Sequence, residues 1–137
     1  MNESAELKRV VEEFYDALGK GDQERLGLMV SNAPEVLGIG TDALEWWEGS
    51  GVLKAKMVKQ MAEMGHFALE GRDVRAWEEG GVGWAADSPK LKMQDGTESE
   101  LRVSAVFHQE AGQWMMVQFH ASVGVPNEYV VGKDLTT

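Results

Sequence analysis

The stretch FALEGRDVRAWEEGGVGWAADSPKLKMQDGTESELRVSAVFHQEAGQWMMVQFHASV, residues 67–123, decides the fold. It reads as extended segments separated by three turn strings, Glu79-Gly80-Gly81, Gln94-Asp95-Gly96 and Glu110-Ala111-Gly112. Period-two alternation marks a strand with one buried face, and glycine beside a small or polar residue supplies the backbone that hairpins need. The pattern predicts four long strands, 67–78, 82–93, 100–109 and 113–123, joined as an antiparallel meander. In the last of them Met115, Val117, Phe119, Ala121 and Val123 share one side, and Trp114, Met116, Gln118, His120 and Ser122 the other. The first set is wholly apolar and belongs in a core. The second carries three polar groups in succession, which fits either a polar cavity wall or a sheet face that meets a partner. Its neighbour sets Val103, Ala105 and Phe107 against Arg102, Ser104, Val106 and His108. A one-residue slip in the hairpin decides whether the two polar rows lie together.

Upstream the period changes. Leu7, Val10, Val11, Phe14 and Leu18 recur at helical spacing with charged residues between them, and Gly19 and Gly21 mark the stop. Asp22 has the chemistry of an N-cap for a shorter second helix, with Leu26, Met29 and Val30 as its buried stripe. Residues 36–41 read as a brief strand, and 41–47 as a loop. A third helix is predicted over 50–64, with Leu53, Met57, Met61 and Met64 on one face and Gly65 as its stop. Helices gathered on one face of a curved sheet bury both stripes, so the fold class is α+β: three N-terminal helices packed in a strongly curved antiparallel sheet. The chain is expected to form one domain over 1–137, with 126–137 a polar tail held loosely except at Tyr129, Val130 and Val131.

Composition narrows the function. With 43% hydrophobic and 26% charged residues, the 137-residue chain has the make-up of a folded domain rather than a disordered one. Its net charge of −10 repels polyanions, and Lys54, Lys56 and Lys59 form only the outer face of a helix, so no nucleic-acid partner is expected. The absence of cysteine excludes disulfides and thiolate chemistry. With no basic, apolar leader and no run of about 20 apolar residues, a cytoplasmic protein without membrane contact is expected. The histidines lie on separate elements with no ligand spacing, and Gly38 and Gly40 lack a third glycine and a following helix start. Neither a metal nor a dinucleotide cofactor is expected.

Several strings resemble the SnoaL-like branch of the nuclear transport factor 2-like superfamily. They are Phe14-Tyr15-Asp16-Ala17-Leu18 with Gly21-Asp22, Gly40-Thr41-Asp42 with Glu45-Trp46-Trp47-Glu48-Gly49, residues 79–87, and residues 119–128. The resemblance spans almost the whole chain and implies a cone, or cystatin-like roll, whose bent sheet leaves an apolar cavity at the wide end, commonly in a homodimer. It implies no single activity, because the fold hosts isomerases, dehydratases, cyclases, hydrolases and non-catalytic modules. Ketosteroid isomerase-like members use a helix-borne tyrosine and a protonated aspartate on a late strand. The matching positions here are Phe14 and Ser104, which lack those groups, so that mechanism is disfavoured.

The candidate site follows from residue chemistry. His120 is the candidate general base, with Gln118 and Ser122 able to orient it, and the resemblance makes Asp42 the candidate for the family's proton-abstracting base. A serine, Ser104 or Ser122, with His120 and Asp87 would supply the parts of a nucleophilic triad, without a nucleophile-elbow motif. Trp46, Trp47 and Trp84 lie beside Asp42, Glu45 and Asp87, and with Phe14 they form the expected lining for an apolar or aromatic ligand. Arg102 would meet an anionic ligand group. The alternative is a non-catalytic dimeric module whose tryptophans and polar row meet a partner subunit.

Overall fold

The computed structural model describes all 137 residues. Helix α1, Ala5–Lys20, starts on Ser4, whose Oγ accepts from the Leu7 amide at 3.2 Å, and ends on Gly21 in the left-handed region at φ 68°. Helix α2, Gln23–Met29, starts on Asp22, whose Oδ1 accepts from the Arg25 amide at 3.1 Å. Helix α3 runs Ser50–Met64 and stops at Gly65, as the methionine spacing predicts.

The extended part departs from the meander of four long strands. The N-terminus adds a short strand β1, Asn2–Glu3, and the segment after α2 forms β2, Leu37–Ile39. The predicted 41–47 loop ends in a further strand, β3, Trp46–Glu48, which pairs with β2. Three of the four long strands are broken. The first becomes β4, Phe67–Glu70, and β5, Arg75–Glu79; the second β6, Val82–Asp87, and β7, Lys90–Met93; the third β8, Glu98–Glu100, and β9, Arg102–Glu110. Gly71, at φ 63°, turns the chain in the first break, and Pro89, which has no N–H to give a ladder, sits in the second. Only β10, Gln113–Ser122, runs through.

The breaks divide the strands into two sheets, one ordered β1-β5-β6-β9-β10-β2-β3 and a smaller one ordered β4-β7-β8. All pairings are antiparallel except β2 with β10. Helix α1 packs against β4, β5 and β6, so both sheets close on the same helix and form the expected α+β cone. One continuous core joins Leu7, Val11 and Phe14 of α1, Leu53 and Met57 of α3, and Phe107 and Met116 of the sheet.

A bulge in β10 sets which residues face that core. Met116 pairs with Phe107 and Gln118 with Val106, leaving Val117 unopposed. The alternation therefore changes phase at Val117. Trp114 and Met116 are buried before it, and Phe119 and Ala121 turn inward after it. Two of the five residues assigned to the polar side thus belong to the core.

The tail also differs from expectation. A fourth helix, α4, of one turn spans Glu128–Val131, and Tyr129, Val130 and Val131 are all exposed rather than attached.

A polar lock fastens α1 to the sheets. Tyr15 is 1% exposed, and its hydroxyl donates to Asp87 Oδ2 at 3.2 Å. Asp87 Oδ1 accepts from the amides of Asp73 and Ser88, at 3.0 and 2.8 Å. Arg72 lies over the Tyr15 ring, 5.3 Å from its centroid, and reaches Asp16 at 2.8 Å. Burial, then the Asp87 charge and its hydrogen bond, hold the Tyr15 hydroxyl well above its ordinary 10.0, with Arg72 opposing.

Candidate functional site

Inside the cone, between α1, α3, the inner face of the long sheet and the small sheet, lies a cavity of about 250 Å³. Of its 22 lining residues 16 are hydrophobic, so its chemistry is that of an apolar pocket with a few polar groups. Phe14 of α1 meets Phe119 of β10 with ring centroids 5.3 Å apart, and Trp47 of β3 covers the side towards α3. Met57, Met61 and Met64 supply an adaptable wall.

Two glycines let the strand approach this wall. A Cβ at Gly38 would overlap Leu53, and one at Gly40 would overlap the carboxylate end of Glu45. The Gly-x-Gly spacing thus serves close packing.

Polarity in the cavity is confined to Thr41, Glu45, Gln60 and Ser99. Glu45 is the sole lining residue with a formal charge. Its Oε1 accepts from the Asp42 amide at 3.1 Å, and its own carbonyl accepts from the Gly40 amide at 2.9 Å, which pins the β2–β3 turn. None of the six ion pairs in the chain includes it.

Two of the sequence candidates, Phe14 and Trp47, line this cavity; the others lie elsewhere. Phe119 and Ala121 face inward, so the intervening His120, with Gln118 and Ser122, projects from the outer face. There His120 is opposite Ser104 on one side and Ile39 on the other. Trp84 shares that outer face, paired between Trp77 and Val106. Arg102 packs near Gly124 at a neighbouring groove with Lys90 and Glu100. Asp42 is exposed and spends its Oδ1 on the Leu44 amide, at 2.8 Å, while Trp46 is 59% exposed. Asp87 is engaged by Tyr15 and does not meet His120 or either serine of the triad arrangement.

At the two isomerase-type positions, Phe14 faces the cavity without a hydroxyl, and Ser104 faces outward. The inward neighbour of Ser104 that lines the cavity is Val103. No group of three or more histidine, aspartate and glutamate side chains converges as metal ligands would. No helix is long and apolar enough to cross a membrane. Glu45 escaped the sequence reading as a site residue, although its place between Gly40 and the tryptophan pair was the available signal.

The SnoaL-like domain family model matches residues 7–126, from the first buried residue of α1 to just beyond the last strand of the sheet. The chain belongs to the SnoaL-like domain family. Solved structures agree on the architecture. An NTF2-like protein of unknown function from Pseudomonas putida KT2440 is 17% identical, with 96% of this chain and 92% of that one covered at TM-score 0.76. An NTF2-like protein from Streptomyces avermitilis, provisionally named a dehydratase, is 17% identical over 87% of this chain and 94% of that one, at TM-score 0.75. A protein from Thiobacillus denitrificans ATCC 25259, provisionally named a calcium/calmodulin-dependent protein kinase type II association domain, is 21% identical. It covers 85% of this chain and 93% of its own, at TM-score 0.72. Such identities establish a shared fold, and these neighbours carry different names on it. No curated protein matches this SnoaL-like chain in sequence.

Proposed function

We propose that this SnoaL-like protein binds a small apolar or aromatic molecule inside the cone. The observation that supports this is the 250 Å³ cavity itself, lined by Phe14, Trp47 and Phe119. Apolar walls with a few polar groups favour ligands by area removed from water, and those polar groups orient them. Any proton transfer in this cavity falls to Glu45, because His120 and Asp42 lie outside it.

Indole is a suitable probe, being aromatic, neutral and of matching size. Its calorimetric titration should show one site per chain, and millimolar indole should raise Tm, since a ligand that binds only the folded state stabilises it by mass action. A flat titration with unchanged Tm would contradict the proposal.

A second reading, assembly as a homodimer, is favoured by the outer face. Trp84, Ala86, Ser104, Val106, Gln118 and His120 form an uncharged tract across three adjacent strands. Burying such a tract against a second copy brings no like charges together on a chain of net charge −10. Sedimentation equilibrium should give twice the chain mass, and Val106→Glu should return it to the monomer mass. A wild-type protein that stays monomeric at high concentration would remove this reading.

A further inference from the structure

The polar part of the cavity has a sign. None of the 22 lining residues is lysine, arginine or histidine, and Glu45 brings the only formal charge. Of its two oxygens, Oε1 is occupied by the Asp42 amide, while Oε2 lies over Gly40 with no protein donor. Lys90 and Arg102 belong to the adjoining groove, which also holds Glu70 and Glu100 and whose shared wall with the cavity is Ser99, Leu101 and Val123. Lys90 there is paired with Glu98 at 3.4 Å. A carboxylate or phosphate entering the cavity would meet Glu45 and find no counter-charge. An ammonium group would find a free carboxylate oxygen, with Thr41 and Gln60 as neutral partners and an apolar chamber for the rest of the molecule.

Resting on the reading of the cavity as a ligand site, we infer that its ligand class is small apolar amines, with the Glu45 carboxylate as the counter-ion for the protonated nitrogen. At the ~30 Å³ that one water molecule occupies in the liquid, the chamber holds on the order of eight non-hydrogen atoms. That is the size of an arylalkylamine with one ring and a short arm. The overall charge of −10 acts in the same direction, concentrating cations and repelling anions around the mouth.

The test is a calorimetric comparison at neutral pH of three probes that share a ring and differ in the arm: 2-phenylethylamine, 2-phenylethanol and phenylacetate, with indole as the uncharged control. The amine should bind about tenfold more tightly than the alcohol, the difference between a charge-assisted and a neutral hydrogen bond, and phenylacetate should bind weakest. Glu45→Gln, with circular dichroism confirming that it folds, should remove the amine preference and bring 2-phenylethylamine to the affinity of 2-phenylethanol. Gly40→Ala is the second variant. Its new methyl takes the place of the carboxylate end, so the preference should fall although Glu45 is still present. Equal affinity for amine and alcohol in the wild type, or an amine preference that survives Glu45→Gln, would overturn the inference while indole binding keeps the cavity reading standing. Failure of all four probes would overturn both.

Discussion

The inner and outer faces of the long sheet are built from the same strands and carry opposite chemistry. Val103, Phe119 and Ala121 look inward on an apolar chamber with one carboxylate at its edge. Ser104, Gln118 and His120, each next to one of them in sequence, look outward on an uncharged tract. The contrast teaches that a polar row containing a histidine need not face the cavity. On a strand the face is decided by register, and here the register turns on the unopposed Val117.

The comparison breaks most severely from within. Phe107 is fully buried between the helices and the sheet, and Phe107→Ala should destabilise the protein by about 3–5 kcal/mol, read as a lower denaturant midpoint at unchanged slope. Next is the lock that holds α1 against both sheets. Tyr15→Phe leaves Asp87 short of one donor and should cost about 1.5–3 kcal/mol, since the lost bond is to a charged group.

The same residue gives a pH signature. The folded protein keeps the Tyr15 proton above the ordinary value of 10.0, whereas the unfolded chain releases it there. The unfolded state then binds fewer protons, so stability falls as pH rises beyond 10.0, and the contribution is complete below it. Denaturant titrations should show this alkaline loss in the wild type and a shallower one in Tyr15→Phe. Equal alkaline slopes would place the Tyr15 hydroxyl in water. Smallest is the outer face, where Ser104→Ala should move stability by no more than about 0.5 kcal/mol. A loss comparable to that of Phe107→Ala would show that the outer tract is buried.

Local rules were legible in the sequence because each is written in one or two residues. Gly21 and Gly65 end helices, Asp22 begins one, and the glycine turns close the hairpins where expected. The bulge was not legible, since Val117 is indistinguishable from its apolar neighbours until β9 supplies the pairing. The breaks at Gly71 and Pro89 had visible residues but competed with long runs of extended character on either side. Trp47, singled out by its aromatic character, and Phe14, singled out by the family resemblance, both line the cavity. Glu45 was not singled out, because its importance comes from where β2 and β3 place it, with Gly40 leaving room for its carboxylate.

Two neighbouring residues give the most direct measurement. Indole should be titrated into His120→Ala and Ala121→Phe side by side, with circular dichroism confirming that both remain folded. Ala121 lines the cavity, so a phenylalanine there fills it and should abolish binding, while loss of the His120 ring from the outer face should leave the affinity within about twofold of the wild type. The reverse pattern, with binding lost in His120→Ala and kept in Ala121→Phe, would contradict the account and place the ligand on the outer face.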